Sequence, residues 1–139
     1  MPEESTTPDL AALARLSVDA LNRRDFDALL PYAAPNLVYD TTPSGFGAYE
    51  GVAIREFVEG YWALFDELSF ELEEFVDLGN GVTFAVNRQR AIPSRSGAQV
   101  QAREAHVTEW QEGLVVRITV YIDIEEGRAA AERLAEERG

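Results

Sequence analysis

The chain has 139 residues, 46% hydrophobic and 27% charged, enough for one folded domain with a sizeable core. Its formal charge is −13 and all 12 bases are arginine; so acidic a surface repels phosphate backbones and anionic lipid, which argues against nucleic acid and membrane partners. It contains no cysteine, which excludes disulfides, thiolate nucleophiles and cysteine-ligated metals.

No run approaches the ~18 apolar residues of a membrane span. The opening MPEESTTPDL lacks the basic and apolar regions of a signal peptide, so a cytoplasmic location is expected. Residues 1–7 read as a flexible polar tail. Thr7, Pro8 and Asp9 then form a helix start, with Thr7 as N-cap and Pro8 at the first helical position. Leu10, Leu13, Ala14, Ser17 and Leu21 lie on one helical face. Asp25 caps a shorter helix to about Tyr32, which carries Phe26, Leu29 and Leu30. Residues 37–41 are β-rich, and the glycine-rich stretch 42–51 after them reads as a loop, either a functional rim or a plain connector.

Residues 53–66 make the clearest helix. Ile54, Phe57, Val58, Tyr61, Trp62 and Phe65 form a wide aromatic stripe that needs a large concave partner. Gly60 inside it predicts a close backbone contact. From Leu68 the period becomes two. Strands follow over about 68–78, 82–92, 98–111 and 114–125, with turns at 79–81, 93–97 and 112–113. Residues 126–139 are alanine-rich and charged, a C-terminal helix or tail.

This order predicts an α+β fold: a cone-shaped barrel with three helices from the N-terminal half on a curved, mainly antiparallel sheet. The main domain is placed at 8–125. The mouth of such a cone is a usual place for a small-molecule site.

The motifs along the chain carry a resemblance. Arg23 to Leu30 ends the first helical region, Leu37-Val38-Tyr39-Asp40 follows, and Tyr49-Glu50-Gly51 leads into Ile54-Arg55-Glu56-Phe57 and Trp62. The final stretch runs from Trp110 to Arg117 and closes on Tyr121-Ile122-Asp123. In this order and spacing they resemble the nuclear transport factor 2-like superfamily, in its SnoaL-like branch. The resemblance covers roughly residues 10–125 and speaks to fold more than to function, since that superfamily hosts isomerases, epoxide hydrolases, polyketide cyclases, dehydratases and non-catalytic pocket proteins. It also implies a homodimer packed through the outer sheet face.

Two residues are the catalytic candidates. Asp40 falls where the similar ketosteroid isomerases carry a proton-shuttling aspartate; the other reading is a loop-capping carboxylate. His106, the sole histidine, aligns with their oxyanion donor; the other reading is a sheet histidine bonded to Glu104 or Thr108. Departures are also evident. The isomerases' first-helix tyrosine falls near Leu16. The last-strand aspartate of the cyclases and hydrolases falls at Val120, and residues 87–90 lack the hydrolases' third-strand carboxylate. Asp123 reads as structural.

Tyr32, Tyr61, Trp62, Phe84, Trp110 and Val120 are the candidate substrate-binding residues, with Tyr61 and Trp62 equally readable as core. Arg88 and Arg90 bind an anion if their strand face is the pocket, and are surface charges if not. No metal-ligating constellation is present and no cofactor is expected. The function expected is binding of a small hydrophobic molecule, with cofactor-independent acid/base isomerisation, cyclisation or hydration of a carbonyl-type substrate. The alternative is a non-catalytic ligand-binding or dimeric interaction domain.

Overall fold

The computed structural model describes residues 9–95 and 97–139. The expected N-terminal tail, Thr7 and Pro8 lie outside the described residues. The observed helix α1, Leu10–Asn22, has Asp9 as its N-cap, its side chain accepting from the Ala12 amide at 3.2 Å. A 3-10 helix, Phe26–Tyr32, follows, capped by Asp25.

Strand β1 spans Ala33–Asp40 and is longer than the β-rich run predicted. The glycine-rich segment contains structure of its own: a 3-10 turn at Thr42–Ser44 and a short strand β2, Ala48–Glu50, antiparallel to β1. Helix α2 is Val52–Trp62 and stops short of the predicted end. Phe65 is already in β3, Phe65–Gly79, opposite Pro93 of β4, so the last aromatic of the predicted stripe joins the sheet. A Cβ on Gly60 would meet nothing within 4 Å, so that glycine marks no close contact.

Strands β4 (Val82–Pro93), β5 (Val100–Gln111) and β6 (Leu114–Tyr121) complete a six-stranded sheet of order β2-β1-β6-β5-β4-β3. All neighbours are antiparallel except β1 and β6, which pair in parallel. The Glu112-Gly113 turn between β5 and β6 holds both residues at positive φ, 53° and 81°. Glycine adopts that conformation at no steric cost.

Two register shifts matter for the inner face. One lies between Leu72 and Glu74 of β3, the other opposite Glu109 and Trp110 of β5. An extra residue in one strand reverses the parity beyond it. Leu72 and Phe75 therefore reach one face although three apart, and so do Val115 and Ile118. Strict alternation along β6 would instead put Val115 and Ile118 on opposite faces.

Helix α3, Ile124–Arg138, packs on the outer face of β4 and β5. Val82, Phe84, Val86, Ala105 and Val107 meet Ala131 and Ala135 there in a dry core. Asp123 is structural: its side chain caps α3, accepting from the Glu126 amide at 3.0 Å. Gly127 is needed for close approach, since a Cβ there would lie 2.9 Å from the Ala105 Cβ. Asn80 ties down the far end by donating to the Ala135 carbonyl at 2.7 Å. The sheet face that the resemblance assigned to a dimer thus carries the chain's own helix over β4 and β5.

Candidate functional site

The opposite, concave face of the sheet faces α1, the 3-10 helix and α2, and between them lies a cavity of about 400 Å³. Its walls are mainly apolar. Val18 and Leu21 come from α1, Phe26, Leu29 and Leu30 from the 3-10 helix, Ile54 and Val58 from α2, and Leu72, Phe75, Val115 and Ile118 from the sheet. This matches the usual make-up of small-molecule sites, a greasy enclosure with a few placed polar groups.

The polar groups come from the sheet. On β5, His106, Thr108 and Trp110 alternate into the cavity; on β4, Thr83, Ala85 and Asn87 do the same, and Tyr39 enters from β1. Two of these are committed to the fold. The Trp110 indole Nε1 donates to Thr83 Oγ1 at 2.9 Å in a buried contact. On α1, Ser17 Oγ donates to the Leu13 carbonyl.

His106 has a different partner. Its Nε2 lies 3.0 Å from Oε1 of Glu104, two residues earlier on the same strand face. Both side chains are largely buried, 17% and 29% exposed. Burial pushes the Glu104 carboxyl up, but the hydrogen bond and charge of His106 outweigh it, and the net shift is downward. Glu104 is therefore a carboxylate at neutral pH, and it holds the His106 ring in orientation. Burial, then the charges of Glu104 and Tyr61, push the Tyr39 phenol well above its ordinary range. Tyr39 thus stays a protonated donor.

Asp40 is not part of this arrangement. In the register of the sheet it pairs with Thr119, whereas His106 pairs with Val120, so the two side chains leave opposite faces. Asp40 Oδ2 accepts from Arg117 at 2.6 Å. Its Oδ1 accepts from the Thr42 amide and hydroxyl at 2.9 and 2.7 Å. Burial raises its pKa, but the bonds from Thr42 and from Arg117 more than reverse this, leaving it below the ordinary 3.8. A carboxylate so held is a weak base and a good loop cap. The Asp40–His106 pair is not formed, and the capping reading describes what Asp40 does.

The six candidate binding residues divide. Tyr32 and Trp110 line the cavity. Trp62 is core at 6% exposure, and Tyr61 turns its hydroxyl to accept from Gln89 Nε2 at 2.7 Å. Phe84 is on the outer face under α3, with the Arg128 guanidinium 4.7 Å above its ring. Val120 is buried beside His106 but does not reach the cavity lining. Arg88 shares the outer face and pairs with Glu73, and Arg90 lies 3.7 Å from Glu71. Neither faces the cavity.

Two contributors escaped the sequence reading, Tyr39 and Asn87, whereas Glu104 was named there as a sheet partner of His106, the contact the structure shows. Glu104 had the right parity relative to His106. Tyr39 was overshadowed by its neighbour Asp40, which has the opposite parity. Asn87 was visible only as the place of a missing carboxylate. Among the described residues no group of three or more His, Asp or Glu side chains is arranged to hold a metal ion. No helix among them is long and apolar enough to cross a membrane.

Comparison with known proteins agrees with this architecture. An NTF2-like protein of unknown function from Burkholderia pseudomallei K96243 superposes with a TM-score of 0.73 at 19% identity, over 90% of this chain and 98% of that one. TerC, co-crystallised with polyporic acid, gives 0.70 at 17% identity, over 91% and 97%. An LEH-like epoxide hydrolase from M. tuberculosis gives 0.60 at 18% identity, over 88% of each. At such identities the likeness concerns the fold alone. No curated protein matches the sequence. The SnoaL-like domain model matches residues 14–118, most of the chain and nearly all the elements that enclose the cavity; the protein belongs to the SnoaL-like family.

Proposed function

We propose that this SnoaL-like domain binds a small hydrophobic molecule bearing a carbonyl and acts on it, without a cofactor, through His106. The observation that carries this reading is the Glu104–His106 pair, at 3.0 Å, on the wall of an otherwise apolar cavity. With Nε2 donating to Glu104, the lone pair of Nδ1 is free to act as a base. In an isomerisation it would take a proton from carbon alpha to the carbonyl. The C–H electrons pass into an enolate, and the imidazolium then returns the proton to another carbon. Tyr39, kept protonated and lining the same cavity, is suited to donate to the developing oxyanion. TerC's co-crystallisation with polyporic acid and the hydrolase activity of the M. tuberculosis neighbour lend general support to small-molecule use of the fold.

A second reading, binding without turnover, is favoured by one observation. The residue paired with His106 across the sheet is Val120, so no second acid/base group faces it from β6. A homodimer remains part of the proposal in altered form: with α3 over β4 and β5, a second copy has the rest of the outer face and the β2 and β3 edges to use.

The test is a thermal-shift screen with steroids, polyketide-like aromatics and terpenoid epoxides, followed by product analysis of the hits. Binding retained in His106→Ala with turnover abolished supports the catalytic reading. Binding without turnover in the wild type supports the second. A hit untouched by His106→Ala in both respects moves the site elsewhere.

A further inference from the structure

Asn87 is the residue of the cavity whose chemistry the acid/base reading leaves unused. It is only 5% exposed, it lines the cavity, and its Oδ1 is fully buried without a hydrogen-bond partner. Buried carboxamide oxygens are almost always paired, so an orphan on a ligand-sized cavity calls for a donor from outside the chain.

Its surroundings sharpen the point. Asn87 pairs in register with Glu104, and Ala85 with His106, so Asn87 sits diagonally across from the histidine on the same face. Diagonal neighbours of antiparallel strands are ~7–8 Å apart. Facing Asn87 directly is Glu104, whose Oε1 is already engaged by His106. The Glu104 carboxylate can accept from the Asn87 NH2 group but has no proton to give to Asn87 Oδ1. The amides nearby do not relieve this, since Gln89 donates to Tyr61.

We infer that Asn87 Oδ1 is the anchor for a hydroxyl donor, so that the ligand is an apolar skeleton carrying a phenol or enol hydroxyl as well as a carbonyl. Resting on the reading of the cavity as the ligand site, this narrows the ligand class within it. The hydroxyl reaches Asn87, the carbonyl end lies toward His106, and the apolar body fills the space toward the 3-10 helix. A ligand lacking the hydroxyl leaves a buried acceptor unpaired, which is how such sites discriminate against analogues.

A matched probe pair separates the outcomes: 4-hydroxybenzophenone and 4-methoxybenzophenone, with one skeleton and one carbonyl, titrated by calorimetry. The wild type is expected to bind the phenol at least tenfold tighter than the ether. Asn87→Leu, of similar size, is expected to abolish that preference while keeping ether binding. Unliganded Asn87→Leu is also expected to melt at or above the wild-type temperature, because the orphan acceptor is gone. Equal binding of both probes by the wild type, or a preference that survives in Asn87→Leu, overturns the anchor while leaving the cavity reading intact. An Asn87→Leu protein that melts well below the wild type overturns the anchor too, by marking Asn87 as a structural group. Binding of neither probe counts against the cavity as the ligand site and removes the anchor with it.

Discussion

The carboxylate of Glu104 and the imidazole of His106 meet at 3.0 Å on one face of β5, with the cavity in front of them and strand β4 beside them. Two residues apart on a strand is the spacing that puts side chains on one face, so the backbone itself imposes this pairing. Glu104→Gln keeps the shape and loses the charge. If the domain is catalytic, kcat should fall by about 10–100-fold with little change in KM, since Glu104 orients the base and is not required to bind the ligand. Steady-state kinetics on the first substrate found would check it. An unchanged kcat would leave Glu104 as a structural partner only.

The Asp40–Arg117 contact at 2.6 Å is a stability device and gives a pH signature. A carboxylate held below its ordinary pKa stabilises the fold above its unfolded value, near 3.8, and loses that contribution as pH falls through the folded value. Asp40→Asn should therefore be less stable than the wild type at pH 7, by about 1–2 kcal/mol from the lost charged hydrogen bonds. The gap should narrow as pH falls below 3.8 and close through the lower folded value, where wild-type Asp40 also becomes neutral. Urea melts of both proteins at pH 7 and pH 3 measure this, and ligand binding at pH 7 should be unchanged.

Gly127 lets α3 lie close to β5. A leucine there would collide with the Cβ atoms of Ala105 and Tyr121, at 2.9 and 3.2 Å from the position of its own Cβ. Overpacking of this kind costs about 1–3 kcal/mol, against a gain of about 1 kcal/mol in helix propensity. Gly127→Leu should be destabilised by denaturant melting, and hydrogen exchange should show α3 opening first. A variant as stable as the wild type would mean that α3 is not docked as described.

Trp110→Phe removes the indole donor and leaves Thr83 Oγ1 buried without it. A loss of about 1–3 kcal/mol is expected, together with weaker binding of large ligands, because Trp110 also lines the cavity. Thr83→Val in the Trp110→Phe background should recover part of the stability, and a double-mutant cycle reads the coupling directly.

Much of the fold was legible because hydrophobic period and turn chemistry are local. The Asp25 cap, the Glu112-Gly113 turn and the α2 face can all be read from a few neighbouring residues. What escaped depends on partners distant in sequence. The short strand β2 exists because Tyr49 pairs with Tyr39, and the parallel β1–β6 pair joins strands about 80 residues apart. The bulges near Glu74 and Trp110 shift parity without a strong sequence signal, and they bring Val115 and Ile118 to one face where alternation would separate them. In the site, His106 was found because it is the sole histidine, and Trp110 and Tyr32 because they are large aromatics. Phe84 was misplaced because the 126–139 segment gave no sign of which face it would cover. Asp40 drew attention away from Tyr39, whose parity differs from it by one residue.

The central claim is that ligand binds in the cavity against His106, and the presence of one histidine makes this directly observable. In tag-free protein labelled with 15N, the imidazole nitrogen resonances belong to His106 alone. Titration with 4-hydroxybenzophenone should move them saturably, with the same dissociation constant that calorimetry gives. Calorimetric binding that leaves both ring nitrogens unmoved would contradict the account.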